Sequence, residues 1–549
     1  MQYLPEEPAS FRKMVKSYLA RFLLHRFMFM TMVEAKVKCQ ENTAKDIRHV
    51  LYVQRHPLNS VIFLFDEKKD FDVKECGVME TAGFFTKPAL CFLAILAARF
   101  IPAKARGNID RPRPAVWVEY ANVGMVDFLF WRGHVKAEAF DVVYYLDRND
   151  DGLRLKFAEM AGKRGCKWID LHFFPMISLS GIRLSELNRL FPRRRRFTKK
   201  SPRWLRLFYF DYELYLLLYE KIFRRFQVKV LIQHQEAFWR QEVQAKAVEA
   251  AGGIMLGYNW SNYYFLSLPT HIFPHHVYFT WGEEIREYME KIGNAPRNIL
   301  PSGLWMMRPE GGLDPKPAFS DGLDFVIAIF DNSAGYNIQY STATLARFYL
   351  EILGLIEDNP RWGAIVKSKN SDRARLRSLP EGEKIVSRMD ALAKEKRFVM
   401  LDRQNNPLAA SGQADLSVCF GLNSAGIISA VHGCRAIHWD CGGIRHRTFQ
   451  TDAGQKIVYL SLDDLKAAIV KAAGGDRTIG DFTEWRQKFN YFDDLLAPER
   501  IGGFIQTFMC ELARTNDAKH SLDISVKKYR EENGLAESKK EVSYAHRSL

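Results

Sequence analysis

From Val228 to Ala473, short apolar runs alternate with stretches of helical spacing, and this alternation constrains the fold more than any other feature of the chain. VKVLIQH, GIMLGYN and HVYFTWG have strand length and end in turn residues, while QEAFWRQEVQAKAVEAAG and EEIREYMEKIG between them place apolar residues three and four apart. Strand and helix in turn predict βαβ units, because each helix carries the chain back so that the next strand lies parallel to the last. The pattern stops at MMRPEGGLDPKPAFSDG, residues 306–322, where Pro and Gly cluster without any period. It restarts with DFVIAIFDNS and runs through TLARFYLEILGLIED, GAIVKSK, RFVMLD, LSVCFG, SAGIISAVHG, RAIHWDC, KIVYLS and LDDLKAAIVKAA. Upstream, AVWVEYA, VDFLFW and FDVVYYLD read as further strands of the first block, and LRLKFAEMAGKRGCKWIDLHF as helix then strand. The expected fold is α/β, with two doubly wound Rossmann-like domains facing a central cleft at the carboxyl ends of their sheets. The expected limits are 1–305 for the first domain with its basic insertion, 306–322 for the linker, 323–515 for the second domain, and 516–549 for a peripheral polar tail.

Composition agrees with two domains. A chain of 549 residues exceeds one core, and 47% hydrophobic with 26% charged residues is the balance of a globular protein. The 8 cysteines include no C-x-x-C pair, which argues against a zinc site or a disulfide framework and fits a reducing cytoplasm. The most apolar stretch, ALCFLAILAARFI, is interrupted by Arg99 and falls short of the ~20 residues a bilayer requires. The opening MQYLPEEPAS lacks the basic start of a secretory signal. A cytoplasmic chain is therefore expected.

The 79 basic against 64 acidic residues give a net charge of +15, concentrated in PRRRRFTKKSPRWLR, residues 192–206. In residues 11–33, Arg12, Lys13, Lys16, Arg21 and Arg26 interleave with Phe, Leu and Met. The plain readings are a solvated loop and a core helix with one wet face. The functional reading is peripheral contact with the anionic inner face of the cell membrane. Nucleic acid is the other polyanion such a run could meet. That reading leaves the strand-end loops unexplained, so no nucleic acid is expected.

Those loops carry the chemistry. In FGLNSAG a strand delivers Gly421 to a turn, and Asn423, Ser424 and Gly426 open the next helix. The Ser424 hydroxyl, the backbone N–H groups and the positive helix end attract phosphate, and Gly426 admits an anion close to the backbone. Taken alone the motif is a capped helix, without the lysine of a Walker loop or the spacing of G-x-G-x-x-G. Neighbouring strands end in DNSAG (Asp331, Ser333, Gly335), in VKSKN (Lys367, Lys369), and in HWDCGGIRHR (Asp440, Arg445, His446, Arg447). Lysines there would act as point charges on a diphosphate. Together the four loops predict a nucleotide-phosphate pocket. DRNDDG, residues 147–152, lacks the glutamate that closes a calcium loop and reads as a turn.

Over residues 228–474, and most of all in VCFGLNSAGIISAVHGCRAIHWD, the chain resembles the GT-B glycosyltransferases, particularly those of bacterial surface-polysaccharide and teichoic-acid type assembly. The resemblance implies a nucleotide-sugar donor as substrate, a glycan or lipid-linked acceptor, no cofactor and no bound metal. Ser424, Gly426, Asn423, Lys367, Ser333 and Asp440 would hold the donor. An acceptor hydroxyl needs a base at a strand end of the first domain, for which Glu236 and Glu119 are the candidates. His234, Tyr258 and Trp260 would line the acceptor side, the aromatic rings stacking on sugar. The nonhydrolysing UDP-sugar 2-epimerases share the motif with a double glycine and two glutamates. Here Ala425 replaces the first glycine, and Ile428 and Ser429 occupy the glutamate region, so an epimerase-like enzyme is the alternative and a nucleic-acid binder the more distant one.

Overall fold

The structure, a computed structural model, describes residues 49–54, 71–76, 106–107, 113–119, 129–136, 140–146, 166–171, 203–233, 239–259, 273–291, 296–305, 322–334, 340–369, 373–402, 405–441 and 454–535, with a few single positions between them. β1 (His49–Gln54) and β2 (Phe71–Cys76) pair in parallel as a separate two-stranded sheet. The first large sheet holds β3 (Arg106–Gly107), β4 (Ala115–Glu119), β5 (Asp141–Leu146), β6 (Lys167–Asp170), β7 (Val228–Ile232), β8 (Ile254–Tyr258), β9 (Val277–Thr280) and β10 (Asn298–Pro301). Its order is β10-β9-β8-β7-β4-β5-β6-β3, parallel except for β3 on β6. α1 (Arg203–Arg225) and α2 (Trp239–Ala250) share one core with Trp117, Tyr145 and Leu231 on one face of this sheet. α3 (Glu283–Lys291) follows β9. Strands such as AVWVE and DVVYYL are buried throughout, as expected of a parallel sheet covered on both faces.

The second sheet holds β11 (Phe325–Phe330), β12 (Trp362–Lys367), β13 (Phe398–Met400), β14 (Leu416–Phe420), β15 (Ala436–Trp439) and β16 (Val458–Tyr459). All its pairings are parallel, in the order β13-β12-β11-β14-β15-β16. The connections include α4 (Thr342–Asp358), α5 (Arg373–Arg377), α6 (Gly382–Lys394), α7 (Pro407–Ser411), α8 (Ser424–Val431) and α9 (Leu462–Ala473). The strands expected from 228 onward are present. α5 and α6 fill the stretch between β12 and β13, where the sequence reading has no helix.

Two expectations give way. Leu129, Phe130 and Trp131 of VDFLFW form a turn rather than a strand, leading into a short 3-10 segment, Arg132–His134. Trp131 is fully buried there, so an apolar run this short fits a core turn as well as a strand. The supposed polar tail contains α11 (Ala518–Glu532), which follows α10 (Ala497–Thr515) and buries Leu522, Val526 and Tyr529 at helical spacing. Lys527, Lys528, Glu531 and Glu532 on its wet face masked that stripe in the sequence. Residues 11–33 and most of the basic run lie outside the described residues; positions 203–206 of the run open α1. Among the described residues no helix is long and apolar enough to cross a membrane.

After α9 the chain returns to the first sheet. Tyr491 N–H donates to the Trp281 carbonyl (2.8 Å), Asn490 Oδ1 accepts from Leu304 N–H (2.8 Å), and Tyr529 Oη donates to the Pro301 carbonyl (2.8 Å). Arg500 is the centre of this seam. It pairs with Asp494 (2.5 Å), donates to Asn533 Oδ1 (2.8 Å) and to the Ser302 carbonyl (3.2 Å), and lies 3.6 Å over the Phe492 ring. Arg500→Ala should weaken the docking of α10 and α11 by about 2 kcal/mol. The expected reading is faster amide hydrogen exchange across both helices with the second sheet unaffected.

Candidate functional site

The second sheet runs in the doubly wound order in which the chain starts in the middle, moves one way and then the other. Its direction reverses between β11 and β14, so their crossover connections leave in opposite directions, the arrangement in which doubly wound sheets form a ligand crevice beyond their carboxyl ends. Register aligns Phe330 with Lys367 on one side and with Cys419 on the other, and Phe420 with Trp439. Lys367, Ser333, Asn423, Ser424 and Asp440 therefore lie along one edge, at or just beyond the ends of four adjacent strands. At about 4.8 Å per strand, that edge spans roughly 14 Å, the scale of a nucleotide.

Across the reversal, Asn423 Nδ2 donates to the Phe330 carbonyl (3.3 Å) while its Oδ1 accepts from Gly426 N–H (2.9 Å), capping α8. Ser424 is the first residue of α8 and is half-buried. Gly421, at φ +69°, makes the turn that brings Asn423 into place. Gly426 serves packing rather than anion access. Its N–H is already taken by Asn423, and a Cβ there would collide with Cys419 Sγ and lie 2.6 Å from His438 Cε1. Burial pushes the His438 imidazole down to about 4, and its Nδ1 donates to the Gly421 carbonyl (3.2 Å), so it is a neutral core residue.

On the other side of β11, Asp331 ties two loops together. It accepts from Tyr349 Oη (2.9 Å), from Ser368 Oγ (2.5 Å) and from Lys369 N–H (2.6 Å). Asn332 Oδ1 accepts from Lys369 Nζ (3.2 Å) and from Ser333 N–H (2.9 Å). Lys367 is 9% exposed and, among the described residues, its side chain makes no hydrogen bond or ion pair. Burial pushes its amine below the usual lysine range; Asp331 opposes that shift, Lys369 adds to it, and Asp402 opposes it. Asp440 is buried at the end of β15, its N–H donating to the Tyr459 carbonyl (2.8 Å). A separate cavity of about 570 Å³ lies among α4, α6 and α9, lined by Arg347, Leu350, Glu351, Lys384 and Lys466, and none of the expected donor residues borders it.

The first sheet reverses between β4 and β7. Glu119 ends β4, 8% exposed, beside Gln233 just past β7. Gln233 Nε2 donates to Gln244 Oε1 (2.8 Å) and to Tyr145 Oη, a buried polar network that the sequence reading did not foresee. His234, Glu236 and Trp260 lie outside the described residues. Tyr258 is not available to a sugar. It is 1% exposed, with its ring edge-on to Phe130 (5.2 Å) and Trp305 (5.6 Å) in the core. A further carboxylate missed in the sequence is Glu284, in the first turn of α3, which burial pushes up to about 8 against the opposing charge of Lys488. Among the described residues no group of three His, Cys, Asp or Glu side chains could hold a metal ion.

Residues 204–469 match the family described as Polysaccharide biosynthesis PFTS motif protein. No curated protein matches the chain. Among solved structures, the chain is similar to a lipopolysaccharide outer core galactosyltransferase, WaaB, at 11% identity over 71% of this chain and 99% of that one, with a TM-score of 0.38. It is similar to MurG of Acinetobacter baumannii at 10% identity, over 72% and 99%, with a TM-score of 0.39. A UDP-N-acetylglucosamine 2-epimerase gives 8% identity, over 74% and 98%, with a TM-score of 0.42. At such values the likeness says nothing about the site. The fold rests on the two sheets themselves, both doubly wound, which is the two-domain α/β arrangement of GT-B proteins that the sequence predicts. Because Gly426 lets α8 sit against β14 and β15, Gly426→Ala should destabilise the protein by about 2 kcal/mol. Ser424→Ala should change stability by less than about 0.5 kcal/mol. Equilibrium denaturation of the two variants checks the difference.

Proposed function

We propose that the chain is a GT-B glycosyltransferase that moves a sugar from a nucleotide-sugar donor to a glycan or lipid-linked acceptor in surface-polysaccharide assembly. The observation that carries this reading is the Lys367 ammonium, nearly buried and unpaired among the described residues, at the edge where the second sheet reverses. A nearly buried cation that no hydrogen bond or ion pair holds, and that Asp331 and Asp402 act on only through space, gains most from an anion that touches it, and a nucleotide phosphate is the anion that such a crevice receives. The family description, polysaccharide biosynthesis, points the same way.

In this reading the second sheet and its helices, residues 323 to about 482 of the expected 323–515, form the donor side, since the segment from 483 docks on the first sheet. Lys367 and Lys369 meet the negative charge that develops on the leaving phosphate, and the amino end of α8 with Ser424 adds hydrogen-bond donors and dipole. Asn423, Ser333 and Asp440 complete the pocket. Residues 1–305 form the acceptor side, where Glu236 or Glu119 removes the proton from the attacking hydroxyl. Residues 11–33 and the basic run would keep the chain peripheral at an anionic membrane.

Lys367→Met should weaken nucleoside diphosphate binding about tenfold or more, the loss expected for one charge-assisted hydrogen bond. Isothermal titration with UDP, GDP, CDP and TDP measures it, and unchanged affinity for a nucleotide that does bind removes the pocket from this edge. Incubation with donor alone separates transferase from epimerase, since only an epimerase converts the sugar without an acceptor.

A further inference from the structure

We propose that Asp331 is the positioning residue of the phosphate subsite, folding the Lys367–Lys369 turn over the end of β11 so that its cations face an incoming diphosphate. This inference rests on the reading of the crevice as a phosphate site and assigns the device that builds it.

The geometry is specific. The Asp331 carboxylate is 8% exposed and directly follows Phe330, the register partner of Lys367. Oδ2 accepts from Ser368 Oγ (2.5 Å) and from Tyr349 Oη of α4 (2.9 Å), and Oδ1 accepts from the Lys369 N–H (2.6 Å). The turn after β12 is thus held through Ser368 and Lys369, the two residues that follow Lys367. The next residue, Asn332, holds Lys369 Nζ at 3.2 Å, so consecutive side chains of one loop hold the turn that follows Lys367 and the Lys369 ammonium. Arg375 of α5 reaches the same loop from outside, donating to the Ala334 carbonyl (3.5 Å). The charges acting on Lys367 come from three loops: Asp331 after β11, Lys369 on its own turn, and Asp402 after β13.

A carboxylate in this place also governs charge. Burial and Lys369 drive the Lys367 amine toward its neutral form, and Asp331 opposes them. Without that countercharge a nearly buried amine beside a second lysine loses its proton at lower pH. Asp331 accordingly sets both where the cation stands and up to what pH it remains one.

The test is the pH dependence of inorganic pyrophosphate binding to the full chain, by calorimetry from pH 6 to 10, for wild type and Asp331→Asn. Asparagine keeps an acceptor for Ser368 and Tyr349, loses the one for the Lys369 N–H, and removes the charge. Wild type should bind pyrophosphate and lose affinity on the alkaline side as Lys367 deprotonates. In Asp331→Asn that loss should begin about one pH unit lower, with affinity at pH 8 reduced about tenfold. An unshifted profile overturns the proposal, whether affinity is retained or falls equally at every pH, because a purely structural role would act uniformly. If wild type binds no pyrophosphate, the phosphate reading of the crevice fails and this proposal falls with it. Should Asp331→Asn not fold, Ser368→Ala keeps the carboxylate and loosens the turn. Its affinity should drop about fivefold with an unmoved pH midpoint, and undiminished affinity would overturn the positioning role.

Discussion

The reversal of strand order between β11 and β14 is the constraint on which the rest of the second domain depends. Neighbouring parallel strands whose crossovers diverge cannot both be covered at their carboxyl ends, so the polar groups there must be satisfied by loop side chains. Asn423 does this across the reversal, with one side-chain end on the Phe330 carbonyl and the other on the Gly426 N–H. Asp331 does it one strand over, gathering Tyr349, Ser368 and the Lys369 amide. The lysine that no such bond claims, Lys367, is left beside the crevice with its charge poorly compensated. Structure and proposed chemistry meet at that residue.

The two domains are held by more than a linker. Segment 483–535 leaves the second domain and hydrogen-bonds to the strand ends of the first, through Trp281, Pro301, Ser302 and Leu304. One contiguous core runs from Val116 and Val118 of β4, through Phe279 of β9, to Leu422 and Ile427 beside the candidate site and Phe504 of α10. The candidate edge of the second sheet and the first domain therefore share one packed body.

Much of this organisation is legible in the sequence, because hydrophobic periodicity is a local property. The strands from Val228 to Ala473 and most of the helices follow it, α5 and α6 excepted, and parallel sheets bury both faces so fully that apolar runs such as FVIAIF and LSVCF stand out. What local pattern cannot show is partnership. Gly426 reads as room for an anion until Cys419 and His438 are found against it. Tyr258 reads as a sugar platform until Phe130 and Trp305 enclose it. Asp331 looks like one acid in a small-residue loop, and only the fold brings Ser368, thirty-seven positions later, to its carboxylate. In α11 the misleading signal was charge, since Lys527 and Glu531 outweigh the stripe of Leu522, Val526 and Tyr529 to a reader counting polar residues. The strand-end positions of Lys367, Asn423, Ser424 and Asp440 were readable because a βαβ pattern fixes which loops share an edge.

The central claim is that nucleotide phosphate binds where the second sheet reverses. A crystal structure with the nucleoside diphosphate that most raises the melting temperature, among UDP, GDP, CDP and TDP, tests it most directly. The phosphates are expected between the Lys367–Lys369 turn and the amino end of α8 at Ser424. Phosphate density at any other edge of the molecule, with this crevice left to solvent, would contradict the account.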